Sequence, residues 1–115
     1  MFLSSQADGG SVDINRLIKG ARDQQFDIIM KSSRGQVVLA ALAPGHTSAR
    51  QLCANRESDQ IVYTIEGEGR VTIGPADHQI QAGALLLIPA GRPHQVTNTG
   101  TKRLLYLDFF APPAY

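Results

Sequence analysis

The sequence predicts an all-β protein, a sandwich or a barrel. After residue 25, short runs rich in β-branched and aromatic residues recur at regular spacing, with turn residues between them and no helical pattern. Most of the 11 glycines and 6 prolines fall in those turns. A chain of 115 residues, 43% hydrophobic and 18% charged, is long enough for one core and too short for two. A single folded domain is therefore expected.

The segment before the strands, residues 1–24, predicts a short helix or arm attached to a β domain at 25–115. The run 11–18 offers a polar cap, followed by Ile14, Leu17 and Ile18 at the spacing of one helical face. Gly20 would end the helix. A helix this short is unstable alone, so it must dock on the rest of the protein.

The remaining chain predicts eight strands joined by short turns. These are residues 26–30, 36–42, 61–65, 70–73, 78–81, 84–88, 94–98 and 103–110. The turn at 66–69, Glu-Gly-Glu-Gly, marks a hairpin, because glycine accepts the positive φ that such turns require. Residues 111–115 contain two prolines and cannot continue a ladder, which predicts a tail or a covering strap.

Several predicted strands are apolar on both faces. In the run 61–65, alternation places Ile61, Tyr63 and Ile65 on one side and the apolar Val62 with Thr64 on the other, and the run 85–88 has no polar face. A strand with one face in water should alternate cleanly between apolar and polar residues. We therefore predict a homodimer in which a partner subunit covers the outer face.

Charge and composition exclude several classes of function. The net charge is +1 and the 11 basic residues are scattered, so no nucleic-acid-binding stripe is present. No apolar run approaches the ~20 residues that span a bilayer, and the first residues lack the pattern of a secretion signal. The lone cysteine, Cys53, fits a reducing compartment. These features predict a cytoplasmic protein without nucleic-acid or membrane partners.

Residues 83–98 resemble the second signature of the cupin superfamily, G-x5-P-x-G-x2-H-x3-N. The fixed positions match at Gly83, Pro89, Gly91, His94 and Asn98. The hairpin at 61–69 is similar to the end of the first cupin signature. The resemblance implies a double-stranded β-helix jelly roll, a cupin-type barrel with a pocket inside, in which His94 is a metal ligand. Independently of it, Asn98 is suited to hydrogen-bond a turn backbone.

The first signature of metal-binding cupins, G-x5-H-x-H-x3,4-E-x6-G, is degenerate here. Aligned on Gly67, its glutamate position falls on Gln60. Its two histidine positions fall on Ala54 and Arg56, or on Cys53 and Asn55 with the longer spacing. Transition metals in proteins need about three or four good ligands. The set that the resemblance implies is reduced to His94 and Gln60, which predicts a degraded metal site.

Other side chains could replace the missing ligands, although a solvent-facing position is the simpler interpretation for each. They are His46, Cys53, Asn55, Glu57, Asp59 and His78. With such ligands the chain would be a metal-dependent enzyme, a dioxygenase or an isomerase, holding iron, manganese, nickel or zinc at His94 and Gln60. We expect this alternative less than a site without metal.

Two metal-free functions remain. If Arg56 points inward, its guanidinium can pair with a small organic anion, with Gln60 and His94 adding directional hydrogen bonds. If Arg56 instead lies on an exposed bend, it pairs with neighbouring carboxylates. Tyr63 and His94 would serve as acid and base in a sugar isomerase or epimerase, although strand alternation puts Tyr63 opposite Gln60. The first prediction is a small-molecule-binding protein whose ligand-binding residues are Arg56, Gln60, His94 and Tyr63.

Overall fold

The computed structural model describes residues 9–49 and 54–115. The chain forms one helix and eight strands in the described residues: α1 (Ile14–Lys19), β1 (Gln25–Lys31), β2 (Gln36–Leu42), β3 (Asp59–Glu66), β4 (Glu68–Ile73), β5 (Ala76–Gln81), β6 (Leu85–Ile88), β7 (His94–Asn98) and β8 (Leu104–Ala111). Each predicted strand is present with its ends shifted by at most two residues. The all-β prediction is confirmed.

The described strands form two antiparallel sheets. The larger has the order β1-β2-β8-β3-β6, and the smaller has the order β5-β4-β7. The two sheets pack against each other without closing into a continuous barrel. Each sheet thus has an inner face toward the other sheet and an outer face away from it.

The main core lies between the sheets and follows the strand period of two. On β3, Gln60, Val62 and Thr64 point inward and are buried, whereas Ile61 and Tyr63 point outward and are each 40% exposed. The buried residues of the core come from both sheets: Val38, Ala40, Leu42, Val62, Val71, Ile73, Ile80, Ile88, Val96, Leu104, Tyr106 and Phe110. The predicted alternation along this strand is confirmed.

Helix α1 covers part of the outer face of the larger sheet. Its apolar residues Ile14, Leu17 and Ile18 pack on a second buried cluster that includes Leu39 and Leu105. The helix begins after Asp13, whose side chain accepts a hydrogen bond from the backbone N–H of Arg16 at 3.3 Å and so provides the polar cap. The expected docking of this short helix is confirmed.

Residues after β8 form a strap across the sheet edge. The Gln36 side chain accepts hydrogen bonds from the backbone N–H groups of Ala114 and Tyr115, each at 3.0 Å. The same side chain donates to the carbonyl oxygen of Tyr115 at 2.9 Å. Gln36 is only 3% exposed, so these bonds are shielded from water. No helix in the described residues is long and apolar enough to cross a membrane.

Candidate functional site: a cavity between the sheets

A cavity of about 460 Å³ opens between the two sheets. Side chains of β2, β3, β7 and β8 line its interior, and Arg22 with residues 24–26 and 47–49 contributes its more exposed wall. Polar groups concentrate on one part of the lining: Asn55, Gln60, His94, Tyr106 and Asp108. The cavity lies where the cupin resemblance implied a pocket.

Three polar side chains form a hydrogen-bonded chain along the cavity wall. Asn55 Nδ2 donates to Gln60 Oε1 at 3.3 Å, and Gln60 Nε2 donates to Asp108 Oδ1 at 2.8 Å. Gln60 is 4% exposed and Asp108 is 3% exposed. Both ends of the Gln60 amide are therefore engaged, and the amide fixes one oxygen of the buried carboxyl.

The environment of Asp108 changes its acidity. Burial raises the pKa of Asp108 to about 7, because a charged carboxylate loses its hydration there. The hydrogen bond from Gln60 acts in the opposite direction and lowers this pKa. On the same strand, burial and then the nearby Asp108 raise the pKa of Tyr106 well above its usual value. Near neutral pH the carboxyl can therefore both hold and release a proton.

His94 reaches the cavity from the start of β7. Its Nδ1 lies 3.1 Å from the carbonyl oxygen of Arg92. Because a carbonyl oxygen only accepts, this contact favours the tautomer with the proton on Nδ1 and leaves Nε2 as an acceptor in the neutral ring. The histidine is half-buried.

The turn before His94 ties this strand to the Asn55 segment. Gly91 has a φ of +80°, and its backbone N–H donates to the carbonyl oxygen of Asn55 at 2.7 Å. At the other end of β7, Asn98 Nδ2 donates to the carbonyl oxygens of Leu42 and Lys102, each at 2.8 Å. The motif positions therefore hold the strand that carries His94, and the expected role of Asn98 is confirmed.

Aromatic rings form another part of the lining. The ring of Tyr115 meets Phe26 edge to face with centroids 5.0 Å apart, and meets Phe110 in the same way at 5.4 Å. All three rings line the cavity. The strap after β8 thus contributes to the cavity, and the lining combines a polar part with an aromatic part.

The structure brings together only some of the predicted site residues. Gln60 and His94 line the cavity as expected. Arg56 is exposed and is not part of the lining, because it lies on an outward bend next to Asn55. Tyr63 is 40% exposed on the outer face, where strand alternation from Gln60 places it. Arg56 therefore does not point into the cavity, and Tyr63 and His94 do not form a pair.

The candidate replacement ligands are mostly in water. His46, Glu57, Asp59 and His78 are exposed, and Asp59 Oδ1 accepts a hydrogen bond from the backbone N–H of Ala90 at 2.9 Å. Asn55 lines the cavity, which agrees with the longer spacing of the first signature. Cys53, the other residue of that spacing, lies outside the described residues.

The described side chains do not fit a transition metal. They contain no group of three or more His, Cys, Asp and Glu residues placed to hold an ion. The cavity offers one imidazole, His94, and one carboxyl, Asp108. The carbonyl oxygen of Gln60, the other predicted ligand, already accepts from Asn55. Zinc and iron sites use three or four strong donors, which this set does not supply.

Sequence reasoning missed Asp108, the carboxyl of the described cavity lining. A signal was available: Asp108 is the only charged residue in the otherwise apolar strand β8, Leu104–Ala111. Charged side chains are rarely buried without a function or a partner. Tyr115 was also missed, because a residue beyond two prolines gives no pattern that places it in a cavity.

A two-sheet jelly roll with a cavity between the sheets and this histidine-bearing turn defines a cupin-type protein. A model of the cupin domain family matches residues 38–110. The chain therefore belongs to the cupin domain family, and the predicted double-stranded β-helix fold is confirmed.

Solved structures agree with this assignment. The chain is similar to BH2720 from Bacillus halodurans, with 23% identity over 96% of this chain and 87% of that one and a TM-score of 0.83. It is similar to TT1209 from Thermus thermophilus, with 30% identity over 89% and 96% and a TM-score of 0.77. A predicted oxalate decarboxylase from Thermotoga maritima shares 25% identity over 70% and 69% with a TM-score of 0.64. No curated protein matches the chain.

Proposed function

We propose that this chain binds a small organic molecule in the cavity between its sheets. The ligand has a hydrogen-bond-donating head, an alcohol or an amine, and a ring or other apolar body. The head faces Asp108 and the body packs on the aromatic lining. The cavity of about 460 Å³ falls in the size range of small-molecule sites, which also combine apolar walls with a few polar groups.

The observation that carries this proposal is the buried carboxyl of Asp108 on the cavity wall. Oδ1 accepts from Gln60, whereas Oδ2 accepts no hydrogen bond within the described residues. This second oxygen is not one of the fully buried unpaired atoms, and Asp108 lines the cavity, so a ligand O–H or N–H can reach it and donate to it. The cavity thus offers a defined place for a donor group.

The charge at the inner, polar part of the cavity argues against the organic anion expected from the sequence. Arg22 also lines the cavity, but it is an exposed residue, whereas Asp108 is buried. The anion was to pair with Arg56, which lies outside the lining. Above its pKa of about 7, Asp108 repels an anion. When it is ionised, the carboxyl favours a neutral donor or an ammonium group. This selects alcohols and amines over acids.

Three matched probes test the choice of ligand: benzyl alcohol, benzylamine and benzoate. Each is titrated at pH 8 into ¹⁵N-labelled protein, and binding is followed by the amide chemical shifts. The alcohol and the amine are expected to change the amide shifts of residues around Asp108, and benzoate is expected to bind at least 10-fold more weakly. Asp108→Asn places an N–H donor beside the ligand donor and lowers the affinity at least 10-fold. Arg56→Ala, outside the lining, is the control and leaves the affinity unchanged.

Equal affinity of the Asp108→Asn variant would refute the role of the carboxyl. A loss of binding in Arg56→Ala would restore the anion hypothesis instead. Tight binding of benzoate without binding of the alcohol or the amine would also support the anion hypothesis. Shifts confined to residues far from the cavity would show that it is not the binding site.

A metal-dependent enzyme is the competing function, because one similar structure is a predicted oxalate decarboxylase. Metal analysis of protein purified without a histidine tag distinguishes the two. Our proposal predicts metal well below one ion per chain, since the described donors do not form a complete ligand set. Stoichiometric iron, manganese, nickel or zinc would contradict it and favour the enzyme.

A further inference from the structure

The outer face of the larger sheet carries two apolar rows that run across its strands. One row joins Val37, Phe109, Ile61 and Leu87 through the pairing of β2, β8, β3 and β6. The other joins Leu39, Leu107, Tyr63 and Leu85 on the same strands. Helix α1 packs at the β1 and β2 side of these rows. The rows continue beyond the helix onto β3 and β6.

Five large apolar side chains of these rows remain in water, and we call them the apolar face. They are Ile61 (40% exposed), Tyr63 (40%), Leu85 (69%), Leu87 (56%) and Phe109 (38%). No charged residue interrupts the face, since Ile61 and Tyr63 are consecutive outward positions on β3 and the β6 positions are leucines. Contiguous apolar faces of this kind are often contact surfaces.

The other sheet provides an internal comparison. Its outer face also has rows across three strands: Gln79, Arg70 and Thr97 in one, and Asp77, Thr72 and Gln95 in the next. All six residues are polar or charged, as expected for a sheet face in water. The outer face of the smaller sheet is thus polar and suited to solvent, whereas the outer face of the larger sheet is apolar.

The exposed area is close to what a dimer needs. Large apolar residues expose on the order of 200 Å² each when fully accessible. The observed fractions therefore leave roughly 500 Å² of the five residues in water, so two copies would bury about 1,000 Å² from these residues alone. This reaches the lower limit for a specific interface before any surrounding residue is counted.

The face has both a groove and a projection. The groove, of about 560 Å³, lies at one end of the face; its apolar wall includes Val37, Ile61, Leu87 and Phe109, and its lining also contains Lys31 and Asp59. At the other end Leu85, the most exposed apolar side chain of the face, projects from β6. A twofold axis brings the projecting end of one copy over the groove of the other, as a symmetric dimer contact requires.

We propose that the apolar face is the contact surface between two copies of this chain, packed outer face to outer face about a twofold axis. Leu85 of each copy fills the groove of its partner. None of the five residues of the apolar face lines the cavity between the sheets, so dimer formation and ligand binding are separate properties. Residues 1–8, which precede the groove-lining Gly9 and Gly10, are the competing occupant of the groove.

Sedimentation velocity on the full chain from 1 to 100 µM tests the proposal. The expected species has twice the chain mass of 12.4 kDa. Leu87→Glu places a charge in the apolar wall of the groove that Leu85 of the other copy fills. It is expected to weaken association at least 100-fold, giving monomer across this range. Gln79→Glu, which adds the same charge to the polar outer face, is the matched control and remains dimeric.

Circular dichroism and thermal unfolding show whether each variant is folded, and Leu85→Glu replaces Leu87→Glu if the latter does not fold. A monomeric parent protein at 100 µM would overturn the proposal and favour residues 1–8 as the occupant. A folded Leu87→Glu or Leu85→Glu variant that remains dimeric would also overturn it, because the contact would then lie on another surface.

Discussion

The ionisation of Asp108 should make the stability of the protein depend on pH below neutrality. The pKa of this carboxyl is raised to about 7 in the folded protein from an ordinary value of 3.8. Between pH 4 and pH 7 the folded state therefore binds more protons than the unfolded state, so the free energy of unfolding falls as pH rises through this window. This increase in the pKa corresponds to a decrease of up to about 4 kcal/mol in the free energy of unfolding.

Asp108→Asn is expected to remove this loss. The amide keeps an oxygen for the hydrogen bond from Gln60 and carries no charge. Urea unfolding should show similar stability for variant and parent near pH 4 and a variant more stable by a few kcal/mol at pH 8. Asp77→Asn, on an exposed strand position, is the control. A stability difference that does not change with pH would contradict the assignment.

Thr64 offers a second prediction. Its side chain is fully buried, and its Oγ1 has no hydrogen-bond partner in the described part of the chain. Valine has the same shape without the hydroxyl, so Thr64→Val should raise the free energy of unfolding by about 1 kcal/mol. Thr64→Ala, which also removes a packed methyl group, should lower it. A large loss in Thr64→Val would mean that the hydroxyl is bonded.

At the scale of the element, the β3–β4 turn depends on Gly67. Its φ is +88°, and a Cβ at this position would lie against the carbonyl oxygen of Arg103 and 3.0 Å from Leu104 Cα. Both contacts are with backbone, which cannot move aside without disturbing β8. The turn therefore requires glycine for two reasons, its backbone conformation and the available space.

Gly67→Ala is expected to destabilise the protein by about 2 to 4 kcal/mol, combining backbone strain with the clash. Gly83→Ala separates the two effects, because Gly83 has a similar φ of +91° and open space around its Cβ position. It should cost only about 1 kcal/mol. Equal losses in the two variants, measured by chemical unfolding, would show that the contact with Arg103 has no effect.

At the scale of the whole molecule, the distribution of charge bears on association. The net charge is +1, and the apolar face contains no charged residue. A contact made by this face should be insensitive to screening, so the dimer dissociation constant should change less than about threefold between 50 and 500 mM NaCl. Sedimentation equilibrium measures this, and a weakening of tenfold or more would indicate an interface held by charges.

The local patterns of the sequence were sufficient for the elements and for part of the site. The periodicity of apolar residues along the chain predicts all eight strands and the helix face of Ile14 and Leu17. It also predicts the alternation that separates Gln60 from Tyr63. The spacing around His94 was sufficient for the family. Asp108 was not predicted as part of the site, because its contact with Gln60 joins residues 48 positions apart.

Sequence alone determined which residues form strands, which face of each strand is apolar and which family the chain belongs to, since these depend on the period of the side chains and on short motifs. Only the tertiary structure decided that Arg56 lies outside the cavity, that Tyr115 lies on its wall and that Asp108 is buried beside Gln60. The physical reason is that the packing of the two sheets decides which way a side chain points at a bend and which distant strands come into contact. The order of residues along one strand does not contain this information.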